Sequence, residues 1–295
     1  MKAHPLVSVV IPVLNAAREL RRCLDALVLQ SWPAEATEII VCDNGSHDDM
    51  RTATSGLPVH IVEEVRFRSP YAARNTAVRA SHGEILAFTD ASCIPAPNWI
   101  EAGVAVLSNV DLVGGRVDFD LAPRPGPAEI VDALFNLDME AAITKHRACM
   151  TGNLFARRQV MDSVGPFVDE LRSGGDQEWT RRATDAGFRI AYSDDVRVTK
   201  TPRSMRPLLA KQIRVGRGVP SVGRTFGWTR AQIVNDAIRG LMPPPPRALS
   251  EAFERRGRPE MDAQPRAVLW AVRWACKVAR SAGIAAALLG GGERS

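Results

Sequence analysis

Three apolar runs, each breaking off into a polar turn, constrain this chain more than any other feature of its sequence. Leu6–Ile11 (LVSVVI) gives way to Pro12, Val13, Leu14 and Asn15; Glu38–Cys42 (EIIVC) to Asp43-Asn44-Gly45-Ser46; Glu84–Thr89 (EILAFT) to Asp90-Ala91-Ser92. Continuous runs rich in β-branched residues are what strands buried on both faces require, so a parallel sheet is expected. Helical spacing separates them. Leu20, Leu24, Leu27 and Val28 share one face behind an expected N-cap at Asn15, and Tyr71–Ala80 reads as a short alanine-rich helix. Val59–Val62 supplies a further strand.

This alternation predicts an α/β chain with helices flanking a mostly parallel, Rossmann-like sheet. In open sheets of that kind ligands bind outside the carboxyl ends of the strands. Pro12–Asn15, Asp43–Ser46 and Asp90–Ser92 all fall there, which marks the place for a nucleotide. Further along, Asp111–Phe119 reads as a strand, Ala128–Ala142 as one helix, and Ala148–Ala156 as a loop entering a strand. Gly174-Gly175-Asp176 opens a helix to about Ala186, Phe188–Tyr192 reads as a strand, and Met205–Val215 as a helix. Pro243–Pro246 is a break that no helix crosses.

Five blocks in this order resemble glycosyltransferase family 2: VSVVIPVLN, EIIVCDNGSHDD, YAARNTAVRASHGEILAFTDASCIP, TGNLFARRQVMDSVGPF and GGDQEWTRRATDAGFRI. Together they cover roughly residues 5–220. The resemblance implies the GT-A fold, with a nucleotide-binding half over about 1–118 and an acceptor-binding half over about 119–225. Residues 226–295 would form a basic, proline-interrupted helical tail. It also implies an inverting transfer from a nucleoside-diphosphate sugar, with UDP the expected nucleotide, to a carbohydrate, lipid-linked or small-molecule acceptor.

The resemblance assigns residues as well. Pro12, Val13, Asn15, Asp43 and Ser46 would hold the nucleoside, Asp43 accepting from a uracil N–H or a ribose hydroxyl; Asp48 is a weaker candidate. Arg74 would reach the nucleotide or an acid such as Asp90, or else form a structural ion pair. Asp90-Ala91-Ser92 stands where the family has D-x-D, whose carboxylates hold Mg²⁺ or Mn²⁺ on the diphosphate. Here the second acid is Ser92, which leaves Asp90 as the expected metal ligand. Many relatives supply a metal-binding histidine near the segment Val196–Pro202, and this chain offers Lys200, which cannot ligate a metal while protonated. Two readings follow: Lys200 takes over part of the cation's work, or it is an ordinary lysine and a metal binds through Asp90 and the phosphates.

Asp176 is the expected general base. In-line displacement at an anomeric carbon needs one carboxylate to take the acceptor's proton, and the family places that acid at a helix start, followed by a second acid and an arginine. GGDQEWTRR supplies Asp176, Glu178 and Arg182, with Glu178 as the fallback base. The plainer reading of Asp176 is a helix N-cap. Trp179 either packs its helix or lines the acceptor cleft, and Thr151, Gly152 and Asn153 would border the acceptor. Processive relatives carry Q-x-x-R-W and membrane-spanning helices; this chain has Gln212-Ile213-Arg214-Val215 and no long uncharged stretch, so transfer of a single sugar is expected.

Charge decides the remaining classes. Residues 1–225 balance acid and base, whereas residues 226–295 carry 11 basic and 6 acidic residues and hold the whole net charge of +5. A nucleic-acid binder spreads its basic footprint over the folded body, so nucleic acid is not an expected partner. Arg266, Arg273, Lys277 and Arg280 fall on one helical face beside Trp270, which fits either a helix in a membrane interface or one packed on the protein with that face in water. Five scattered cysteines without a C-x-x-C pair, and no signal peptide before the first strand, predict a cytoplasmic protein, peripheral to the membrane if the tail binds it. No G-x-G-x-R or G-x-G-x-x-G loop follows the first strand, which disfavours pyrophosphorylases and dinucleotide oxidoreductases. A non-catalytic sugar-nucleotide binder of the same fold is the remaining alternative.

Overall fold

Eight strands form one mixed sheet: β1 Val7–Val13, β2 Thr37–Asp43, β3 Val59–Glu63, β4 Ile85–Thr89, β5 Cys93–Pro95, β6 Leu112–Phe119, β7 Asn153–Arg157 and β8 Ile190–Lys200. The structure is a computed structural model that describes residues 4–290; Met1–Ala3 and the last five residues of the expected tail lie outside the described residues. The sheet order is β3-β2-β1-β4-β7-β6-β8-β5. β3, β2, β1 and β4 are parallel to one another. Beyond β4 the direction reverses, with β7 antiparallel to both β4 and β6, and β5 antiparallel to β8. The three apolar runs β1, β2 and β4 all lie in the parallel half, where every residue of β4 is buried, whereas β3 at the sheet edge has no buried residue.

The chain folds as two compact units. The first comprises residues up to Asp118 together with Asp138–Lys200, and the second comprises Phe119–Leu137 together with the chain from Thr201. In the first unit Phe88, Phe167 and Trp179 interlock with ring centroids 4.9–6.2 Å apart. Burying three such aromatics contributes several kcal/mol and fixes the floor on which β4 and the helix Gly175–Asp185 rest.

The second unit is helical: Pro127–Phe135, Met205–Thr225, Arg230–Leu241, Arg247–Arg256 and Arg266–Leu289. Gly216 and Gly283 let the two longest helices meet backbone to backbone, since a Cβ on either would collide with a carbonyl of the other helix. Asp132 is fully buried there and is neutralised by Arg203 at 3.3 Å and Lys211 at 3.8 Å.

Three local expectations are corrected. Ala128–Ala142 is not one helix: it breaks at Asn136–Asp138, where Leu137 takes a left-handed φ of 53° and Asp138 caps a new helix by accepting from the Ala141 N–H. The helix from Met205 continues past Val215 and through Pro220 to Thr225, because packing against Arg266–Leu289 outweighs the lost hydrogen bond. The basic stripe of the last helix is divided. Arg266 stacks 3.2 Å from the Phe253 ring centre and pairs with Asp262, while Arg273, Lys277 and Arg280 line a cavity. Its tryptophans face the proline break, Trp270 donating to the Pro244 carbonyl and Trp274 to that of Leu241. Among the described residues no helix is long and apolar enough to cross a membrane. All five cysteines are buried and unpaired.

Candidate functional site

The parallel register brings the three polar turns together. Val13 lies opposite Asp43 at the ends of β1 and β2, and β4 runs alongside β1 and delivers Asp90 one residue past its end. The first two turns clasp each other. Asn15 accepts from the His47 N–H at 2.8 Å, its own N–H donates to Ser46 Oγ at 3.0 Å, and Asp43 accepts from the Ser46 N–H at 2.9 Å. Asn15 does this with a left-handed φ of 50°, so it is not the N-cap expected of it; Ala16 holds that position, and Asp48 accepts from Ala17 N–H instead. Pro12 and Ser46 are half-buried and Val13 is covered, which leaves the Asn15 and Asp43 polar groups on the rim.

Asp90 is the centre of the third turn. Its two carboxylate oxygens accept from different cations, Oδ1 from Arg74 at 2.8 Å and Oδ2 from Lys200 at 3.2 Å. Both cations are only 4% exposed, while Asp90 is 33% exposed. Lys200 ends β8 and pairs with Cys93 of β5, so the strand pairing itself carries the amine to the acid. The Arg74 Nε is buried without a hydrogen-bond partner. Ala91 is buried, Ser92 is half-buried, and a Cβ at Gly152 would stand 3.4 Å from Asp90 Oδ2, so the backbone of that turn closes the third side.

One helix face links Asp90 to Asp176. Tyr71 and Arg74 are three residues apart on Pro70–Arg79, and the guanidinium stands 5.7 Å from the Tyr71 ring centre. The Tyr71 hydroxyl donates to Asp176 Oδ1 at 3.2 Å, and the Thr151 N–H donates to Oδ2 at 3.4 Å. Asp176 sits inside the first turn of Gly175–Asp185, not at the cap, which is Gly174 at φ 81°. Gly175 is required there, since a Cβ would press to 2.9 Å from the Tyr71 ring. Burial pushes the Asp176 carboxyl above the usual range, against the pull of Arg74 and of two backbone N–H groups, with Asp90 adding to the rise. A carboxyl raised in this way holds a proton more strongly than a free aspartate does.

Other expected site residues are held in the scaffold. Glu178 is buried and bound at both oxygens by Arg182, at 3.0 and 3.2 Å. That guanidinium also donates to the Val164 and Pro166 carbonyls. Trp179 is fully buried and donates to the Gly165 carbonyl. The Asn153 amide is fully engaged: it accepts from Trp99 Nε1 at 2.8 Å and donates to the Arg116 and Val196 carbonyls. Sequence reasoning passed over Tyr71, although its place one helical turn before Arg74 is the signal that would have found it.

The sequence model of glycosyl transferase family 2 matches residues 8–163, more than half of the chain. The chain belongs to glycosyl transferase family 2. Glycosyltransferase AglE of Haloferax volcanii is 39% identical to this family 2 glycosyltransferase over 291 residues, 95% of each chain. Two solved structures share the fold. Mannosyltransferase PcManGT from Pyrobaculum calidifontis, in complex with GDP-Man and Mn²⁺, superposes with a TM-score of 0.60 at 23% identity, covering 99% of this chain and 77% of its own. S. aureus TarS 1-349 in complex with UDP superposes at 0.56 and 18% identity, covering 98% and 93%. The three loops thus belong to a family 2 glycosyltransferase of GT-A architecture.

Proposed function

We propose that this glycosyltransferase moves one sugar from a nucleoside-diphosphate sugar to an acceptor hydroxyl with inversion, and that Asp176 is the general base. The observation that carries this reading is Asp176 itself: half-buried, raised in pKa, held by Tyr71, and one helix face away from Asp90 and its two cations. The acceptor oxygen forms a bond to the anomeric carbon, and its proton passes to Asp176 Oδ2, which accepts a long hydrogen bond of 3.4 Å from the Thr151 N–H. The anomeric carbon–oxygen bond to the diphosphate breaks, and its electron pair leaves with the diphosphate. Asn15, Asp43 and Ser46 form the nucleoside rim, with residues up to about 118 as the donor segment and residues about 119–225 as the acceptor segment.

A divalent cation does not fit the side chains at this acidic turn. Asp90 is the single carboxylate, Ser92 adds no charge, and both Asp90 oxygens already accept from buried cations. Among the described residues no three His, Cys, Asp or Glu side chains converge on a metal position. Positive charge is nonetheless present: Arg74 and Lys200 outnumber Asp90 and are fixed by burial, as stabilisation of a leaving diphosphate requires. That PcManGT holds Mn²⁺ is a property of that protein.

The test is a panel of nucleotide sugars scored for diphosphate release, followed by NMR of the first product formed. A product anomer opposite to the donor's supports the reading. Retention of configuration would remove Asp176 from the role of base. A non-catalytic sugar-nucleotide binder, favoured only by Ser92 in place of the second acid, would bind a donor without turnover.

A further inference from the structure

In the second unit, a cavity of about 240 Å³ opens between three helices that are not part of the donor loops. It is lined by Gln212 of Met205–Thr225, Asp236 and Arg239 of Arg230–Leu241, and Arg273, Lys277 and Arg280 of Arg266–Leu289. Four cations thus face one carboxylate. Asp236 neutralises only Arg280, at 2.8 Å. Lys277 donates to the Met242 carbonyl at 2.8 Å, a neutral partner. The side chains of Arg273 and Arg239 line the same cavity and donate no side-chain hydrogen bond among the described residues. The Arg273 guanidinium lies 4.3 Å from the Phe135 ring centre, which fixes its plane and leaves its N–H groups for another acceptor.

Gathering like charges in a partly covered space costs energy unless an anion neutralises them. Desolvation, together with the nearby Arg280, already lowers the Arg273 pKa, so the uncompensated charge is felt there. A guanidinium fork held flat on a ring, a second guanidinium and an ammonium make the donor set that oxyanions of phosphorus take up in several hydrogen bonds.

We propose that this cavity binds a phosphate group, carried by a soluble phosphate compound or by the headgroup of an acidic lipid. Its residues are distinct from Arg74 and Lys200, so the proposal stands whether or not the donor-site reading survives. The sequence pattern that suggested a basic membrane face is, in the fold, three-quarters turned to this cavity.

Titration of the full chain with inorganic phosphate, followed by calorimetry, tests it. The variants are Arg273→Gln, Arg239→Gln and, as a donor-site control, Lys200→Met. At least a tenfold weakening is expected in both cavity variants, and none at the cavity in Lys200→Met. Arg239 is exposed, so its variant keeps the test valid if Arg273→Gln does not fold. Flotation with phosphatidic acid vesicles, against phosphatidylcholine alone, identifies the source. Cofloating that both cavity variants lose assigns a lipid headgroup, and phosphate binding without cofloating assigns a soluble compound. Phosphate and vesicle binding that are absent in the parent, or unchanged in both cavity variants, would overturn the proposal.

Discussion

Lys200→Met removes the buried amine at the proposed donor site and keeps most of its stem. In the parent the ammonium lies 3.2 Å from Asp90, an attraction of roughly 5 kcal/mol at an effective dielectric of about 20 before desolvation is subtracted. Asp90 keeps Arg74 at 2.8 Å in the variant and is one-third exposed, so it is not left as an isolated buried charge. The expected loss of stability is therefore below the ~3–5 kcal/mol seen when a buried pair loses one partner. Catalysis should suffer more. A preorganised cation aimed at charge that develops in the transition state is worth about 10²–10³-fold in kcat. The assay is initial-rate diphosphate release by EDTA-treated enzyme, with and without added Mn²⁺, beside urea unfolding to separate folding from chemistry. The reasoning predicts a parent that keeps turnover in EDTA and a variant that loses it at a nearly parental unfolding midpoint. Complete loss of parental activity in EDTA, with Lys200→Met as active as the parent when Mn²⁺ is restored, would refute it.

Other outcomes follow from the same geometry. The acidic limb of the kcat profile should lie above the ordinary aspartate value of about 3.9, since burial raises Asp176 and the base acts only when ionised. Tyr71→Phe removes a donor to that carboxylate and should move the limb further up, read from the pH–rate profile. Asn153→Ala should cost about 3 kcal/mol or more in urea unfolding, because it strands the Trp99 N–H and two carbonyls in the sheet. Glu64 is pushed up by burial, but hydrogen bonds from Thr76, Arg66 and Phe67 hold it down at about 2. Its contribution is complete above the unfolded glutamate value of about 4.3 and fades as the pH falls toward 2, so Glu64→Gln should flatten the acid-unfolding curve.

How far the chain could be read in advance depended on how local each signal was. β1, β2 and β4 were legible because a doubly covered parallel strand must be apolar throughout, and their turns had to meet once the strands paired. Asp176 was legible from its two glycines. The clasp between Asn15 and Ser46 was not, because it joins two turns across 31 residues and uses a left-handed asparagine that looks like a cap in one dimension. Asn153 read as a polar loop residue, yet pairing with Thr89 places it inside the sheet, where its amide is engaged three times over. Lys200 has two readings in one dimension, and only the pairing of β8 with β5 brings it to Asp90. The basic face of the last helix was visible by periodicity, but which partner it faces is a question of tertiary packing.

The most direct test of the account is turnover by Asp176→Asn measured beside its donor affinity. Asparagine keeps an oxygen for Tyr71 or Thr151 and loses only the ability to take a proton. The account predicts a kcat lower by about 10²–10⁴-fold with nucleotide-sugar binding unchanged by calorimetry. Undiminished turnover, or a loss explained wholly by weaker donor binding, would contradict it.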